Sequence, residues 1–129
     1  MSAFISPVSP LPRDPWLKGV RPMVQGYPAD WFDDPALDAG LAAMAARGLV
    51  FDALVRPRHL PGLERMARRH PSLAIVVDHA AKPGIAGGDL RDWEAAMERL
   101  AHLPNVWCKL SGLLTEAAPG QQAEVARIA

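Results

Sequence analysis

The sequence predicts an α/β fold built on a parallel sheet, and three observations carry that reading. The run Ala74-Ile75-Val76-Val77 is apolar on both faces and ends abruptly in Asp78 and His79, before a Lys82-Pro83-Gly84 loop. That is the pattern of a strand covered on both sides. Strand-like segments of this kind recur at Gly19–Gln25, Val50–Val55, Leu73–His79 and Val106–Gly112. Each is followed by a stretch with helical periodicity, and alternating strands and helices make parallel βαβ units.

The helices are read from their caps and apolar stripes. Asp34 and Pro35 open the first as N-cap and N1, Gly48 closes it, and Leu37, Leu41, Met44 and Ala45 form its inward stripe. The second is predicted from about Pro61 to His70, ended by Pro71, with Leu63, Met66 and Ala67 inward. The third starts at an Asp89 cap, carries Trp93, Met97 and Leu100, and stops before Pro104. A fourth begins near Pro119-Gly120. This order fits either an open doubly wound sheet or half of a (β/α)8 barrel, which takes about 250 residues when complete. Residues 1–15, rich in Pro and Ser, read as an irregular leader, and 16–129 as the folded domain.

Composition narrows the function classes. The 129 residues hold 14 acidic and 14 basic side chains, so there is no broad electrostatic footprint for nucleic acid or an anionic membrane. No apolar run is long enough to span a bilayer, and residues 1–15 lack the charged start and apolar core of a secretory signal. A cytoplasmic location is the expectation. The single cysteine, Cys108, excludes an intrachain disulfide and is expected to be a buried thiol. Arg65, Arg68, Arg69 and His70 are expected to favour a helix dipole. Gly84, Gly87 and Gly88 do not make G-x-G-x-x-G, and no Walker A sequence is present, so a nucleotide site has no motif behind it.

Polar residues gather at the carboxyl ends of the segments, where parallel α/β folds bind ligands. They are Arg21, Gln25 and Trp31 after the first, and Arg56, Arg58 and His59 after the second. Asp78, His79 and Lys82 end the third, and Lys109, Ser111, Thr115 and Glu116 lie along and beyond the fourth. Strict alternation puts Ile75, Val77 and His79 on one face and Ala74, Val76 and Asp78 on the other. His79 is the stronger catalytic candidate, because imidazole titrates near neutrality and ligates metals. Arg21 offers a fork suited to a carboxylate or a polarised carbonyl, or to an ion pair with a neighbouring acid. Lys109 reads as a catalytic group or as the partner of an ion pair with Asp78 or Asp52.

Four stretches together are similar to the amidohydrolase family that contains the sugar-acid and dicarboxylate lactonases. They are KGVRPMVQ at 18–25, GLVFDALVRPRHL at 48–60, PSLAIVVDHAAKP at 71–83 and LPNVWCKLSGLLTEA at 103–117. The resemblance implies four consecutive βα units of a (β/α)8 TIM barrel whose rim hydrolyses a lactone. It implies His79 as an active-site histidine, Arg21, Gln25, Trp31 and Lys82 as substrate-binding residues, and a divalent metal such as zinc with His79 as a candidate ligand. The resemblance implies a first strand with an H-x-H pair and a last strand with an aspartate; these 129 residues hold no H-x-H, and the last family strand is expected beyond Ala129. The chain therefore reads as the central part of such an enzyme, alternatively as an inactive truncated product or pseudoenzyme. A metal-dependent decarboxylase of the same superfamily and an open-sheet binding module are the other readings. Four strands alone leave two open edges and an uncovered inner face, expected to hold Ile75 and Val77, so self-association is predicted.

Overall fold

The computed structural model describes residues 16–87, 90–111 and 120. The expected leader, the Asp89 cap, Thr115, Glu116 and the fourth helix lie outside the described residues. Four parallel strands, β1 (Gly19–Val20), β2 (Val50–Ala53), β3 (Ala74–Val77) and β4 (Val106–Cys108), form one sheet in sequence order. Helices α1 (Asp38–Ala46), α2 (Leu60–Arg69) and α3 (Arg91–Ala101) connect them.

All four strands are shorter than their sequence patterns, for different reasons. Pro22 has no N–H to give a ladder, so β1 stops at Val20 and pairing resumes only in a single Met23–Leu54 bridge. The Val24 N–H instead folds back onto the Pro22 carbonyl at 3.0 Å. β3 ends at Val77 because the next residues turn left-handed, as described below. At the start of the sheet, Gly19 is required by proximity: a Cβ there would lie 2.5 Å from the Val50 carbonyl oxygen.

The helices follow their caps. The Asp34 carboxylate accepts from the Ala36 N–H at 2.9 Å, with Pro35 next, but the first turn is a 3-10 turn over Pro35–Leu37 that leads into α1. Gly48, at φ +67°, takes the left-handed position past the end of α1. Leu37, Leu41 and Met44 of the first stripe are buried, as are Leu63, Met66 and Ala67 of the second and Trp93 and Leu100 of the third. Arg68 and Arg69 lie in the last turn of α2, with His70 at its end, and the basic residues of this helix also have specific partners. Arg65 is paired with Asp33, Arg68 with Glu64, and Arg69 donates to the Phe32 carbonyl, while His70 lies 2.9 Å from Asp38.

The two faces of the sheet are unlike. Phe51 and Ala53 of β2, and Ile75 and Val77 of β3, are buried in the core shared with the helices. The expectation that Ile75 and Val77 occupy the uncovered face is therefore corrected. That face carries Val50, Asp52, Ala74 and Val76, all only half-buried, because the three helices pack on the other side. Cys108 is also a correction: it is exposed rather than buried, on a strand that pairs on one side only among the described residues.

At the amino end of β4, Asn105 fastens the bottom of the sheet. Its buried Nδ2 donates towards the carbonyls of Ala67, His70 and Leu73, at 3.2, 3.1 and 3.0 Å. Asn105→Ala leaves those carbonyls without their partner and is expected to cost about 1–3 kcal/mol, read from the urea midpoint at unchanged m.

Candidate active site

Register brings the polar groups together at the carboxyl end of the sheet. Asp52, Val76 and Trp107 are direct neighbours across β2, β3 and β4 on the uncovered face. Arg21 directly follows β1, and its guanidinium reaches Asp52 Oδ2 with Nε at 3.0 Å and Nη2 at 2.8 Å. The same Nε lies 3.1 Å from Asp78 Oδ2. From the far side, Lys109 Nζ lies 3.2 Å from Asp78 Oδ1 and 3.8 Å from Asp52 Oδ2. The result is a four-charge cluster in which two carboxylates alternate with two cations.

Within it, Asp78 is the enclosed member, its side chain 1% exposed against 45% for Arg21 and 50% for Lys109. Neither Asp78 oxygen has a partner of hydrogen-bonding geometry, so the cations act on it mainly as charges. Burial, and then the adjacent Asp52, push the Asp78 carboxyl above its ordinary range. Burial works the same way on Asp52, but Asp78 and Arg21 beside it outweigh burial and hold it below that range. Asp52 is thus the anion that answers Arg21, and Asp78 is the carboxyl that takes a proton first.

His79 does not continue the alternation of β3. It starts a left-handed turn in which His79, Ala80, Ala81 and Lys82 have φ of 52°, 50°, 59° and 50°. The turn carries the imidazole to the β4 side, where Nδ1 lies 2.8 Å from Ser111 Oγ. Arg21 and His79 lie at the same end of the sheet, because Arg21 touches Asp78, the residue next to His79. Lys82 closes the turn, its N–H donating to the His79 carbonyl at 2.8 Å.

The other sequence candidates form a second group on the loop after β1. Trp31 is buried, stacked on Tyr27 at 5.7 Å and edge-on to Phe32 at 5.1 Å. Gln25 has a buried Nε2 without a hydrogen-bond partner, while its carbonyl accepts from Arg58. His59 pins the same loop. Its Nδ1 accepts from the Arg56 N–H at 3.0 Å, so Nε2 carries the proton and donates to the Tyr27 carbonyl at 2.9 Å. His59 is therefore a buried neutral imidazole, which burial holds below the ordinary histidine range with Arg58 adding to the effect. A depressed pKa means that the unfolded chain binds the proton more readily. His59's contribution to stability is thus full above the unfolded value and is lost as pH falls through the folded one. Wild type is expected to lose more stability than His59→Gln between pH 7 and pH 5, measured by urea unfolding at each pH.

Asp52 was not among the expected site residues. Its signal was present in the V-F-D-A segment: an acid on the half-covered face of an otherwise apolar strand, one βα unit from Arg21. A groove of about 460 Å³ runs beside it, lined by Lys18, Gly19, Val20, Arg21, Val50 and Asp52.

A parallel sheet in sequence order, with its charged groups at the carboxyl rim, is the arrangement of a barrel enzyme. The amidohydrolase family model matches residues 12–129. The chain belongs to the amidohydrolase family. Over 113 residues it is 57% identical to the L-fucono-1,5-lactonase of Burkholderia ambifaria, covering 87% of this chain and 39% of that protein. It is 42% identical over 109 residues to the L-fucono-1,5-lactonase of Burkholderia multivorans, covering 78% and 36%. A solved amidohydrolase from Burkholderia multivorans with bound zinc superposes with a TM-score of 0.79 at 39% identity, over 90% of this chain and 43% of that one. The amidohydrolase chain thus spans about two fifths of these relatives' length. Its four strands and three connecting helices, among the described residues, follow the consecutive βα order of the barrel plan.

That relative holds zinc. Among the described residues, no three His, Cys, Asp or Glu side chains converge on one point, and the two carboxylates of the rim face Arg21 and Lys109. The described residues do not by themselves fit a metal ion. Among them, no helix is long and apolar enough to cross a membrane.

Proposed function

We propose that this chain forms the central part of a barrel-rim site that hydrolyses the lactone of a sugar acid, in the cytoplasm. The observation that carries the reading is the clustering of Arg21, Asp52, Asp78, Lys109 and His79 at the carboxyl end of a sheet whose sequence is 57% identical to an L-fucono-1,5-lactonase. Opening a lactone requires water at the ring carbonyl, a group that polarises that carbonyl, and a base that takes the proton. His79, steadied through Nδ1 by Ser111, is the group at this rim that orients or polarises the carbonyl. Arg21, anchored on Asp52 but half exposed, meets the substrate's oxygen atoms, with Gln25, Trp31 and Lys82 completing the binding side. The described residues supply no general base, and no step is routed through a metal.

A second reading, a chain that keeps the fold without turnover, is favoured by the engagement of both rim carboxylates with cations. The deciding assay is acid release from L-fucono-1,5-lactone in a pH-stat. Turnover that falls at least about 100-fold in His79→Ala supports the first reading, a fall within the range of a positioned acid–base group. Turnover unchanged in His79→Ala removes His79's role, and a folded wild type without turnover favours the second reading.

Self-association belongs to the same proposal. The rim-side face and the β4 edge leave Trp107 56% exposed and Leu110 58% exposed, and open parallel edges invite pairing with another copy. Sedimentation velocity is expected to show species larger than one chain; a stable monomer at all concentrations excludes it.

A further inference from the structure

The four consecutive positive φ values at His79–Lys82 are the only ones at non-glycine residues in the described chain. Each residue with a Cβ costs about 1–2 kcal/mol in this region, so the turn persists only where its surroundings over-determine it. Two of the contacts that hold it are backbone bonds, from the Ala80 N–H to the Lys109 carbonyl and from the Lys82 N–H to the His79 carbonyl, both 2.8 Å. The third comes from a side chain of the following helix. Trp93, in the first turn of α3 and almost fully buried, donates its indole N–H to the Ala80 carbonyl at 2.7 Å. Ala80 and Ala81 are themselves buried, so that carbonyl has no route to water as an alternative partner.

We propose that Trp93 is a positioning residue for His79: its indole N–H locks the left-handed turn that swings the imidazole out of the β3 alternation and onto Ser111. Without the turn, continuation of β3 would put residue 79 on the face that Ile75 and Val77 share with the core, away from the rim. The proposal rests on the reading of the rim as a lactone site only for its catalytic meaning; the positioning itself is a matter of geometry.

The test uses the whole chain with 15N-labelled histidine and tryptophan. Trp93→Phe keeps the ring in the core and removes only the N–H. The imidazole resonances of His79 are expected to move in the direction seen in Ser111→Ala, with the far-UV circular dichroism unchanged. His79 resonances unmoved in a folded Trp93→Phe protein overturn the proposal. A second measurement needs no variant: the Trp93 indole proton of the wild type is expected to exchange at least about tenfold more slowly than that of the exposed Trp107. Exchange as fast as Trp107's overturns the proposal, even where Trp93→Phe fails to fold. Displaced His79 resonances with lactone turnover unaltered would support the positioning and count against the lactone reading, so the two fail separately.

Discussion

Replacing both Arg21 and Lys109 by methionine is expected to destabilise the chain by about 3–5 kcal/mol, and adding Asp78→Asn is expected to restore most of that loss. The reason is the asymmetry of burial within the cluster. Arg21 and Lys109 are each about half exposed and can return to water when their partner is removed, whereas Asp78 is 1% exposed and cannot. Stripping away both cations leaves a desolvated carboxylate with no opposite charge within reach and Asp52 beside it, the arrangement that buried ion pairs tolerate least. Asparagine removes the charge at the same volume. Either cation alone should matter less than half as much as the pair, since the other still lies within 3.2 Å of an Asp78 oxygen. The checks are urea unfolding of the two single variants, the double and the triple, analysed as a thermodynamic cycle. Additive single effects with no rescue by Asp78→Asn would show that the cluster is not organised around Asp78.

How legible this arrangement was in the sequence depends on which physical signal each residue leaves. Periodicity located all four strands, and the buried stripe of Leu37, Leu41 and Met44 is the one its spacing predicts, because apolar burial leaves a mark at every turn of a helix. The Lys109 ion pair was one of two stated options and is realised with both acids. The turn at His79–Lys82 was not legible. It holds four positive φ angles without a glycine among them, so the usual residue-level marker of left-handed backbone is missing and only the tertiary clamp specifies it. The same miss explains the misread faces: alternation extended through His79 assigned Ile75 and Val77 to the open side, when the helices cover them. Asp52 is expected from the sequence only as an ion-pair partner of Lys109, because an acid inside an apolar strand gives no sign of its link to Arg21 until the register with Arg21 and Val76 is known. The H-x-x-K sequence after β3 was noticed as a ligand loop, yet its mechanical partner, Trp93, is separated from it by most of a βα connection and reads only as one more apolar residue of a helix stripe.

Phe51→Ala is expected to cost about 3–5 kcal/mol, a large share of the roughly 5–15 kcal/mol that keeps an ordinary domain folded. Phe51 is fully buried in the second position of β2, one residue before Asp52 and on the opposite face. Its ring meets Phe32 edge to face at 6.0 Å, and Phe32 in turn stands 6.4 Å from His59 and 5.1 Å from Trp31. The cavity left by alanine therefore opens under the loop that carries Gln25 and Trp31, and the sheet cannot close it without moving β2 against Phe32 and α1. Because the loop and the strand share this cluster, loss of stability should come with loss of order at Trp31, although position 51 lies on the face of β2 opposite Asp52. Urea unfolding monitored in parallel by far-UV circular dichroism and by the 19F resonance of Trp31 in protein labelled with 5-fluorotryptophan distinguishes the outcomes. Coincident transitions shifted to lower urea show one cooperative core beneath the rim. A Trp31 signal that keeps its wild-type midpoint while the backbone transition shifts would show that the loop is held by His59 and Arg58 alone, with the aromatic cluster contributing nothing to the geometry of the site.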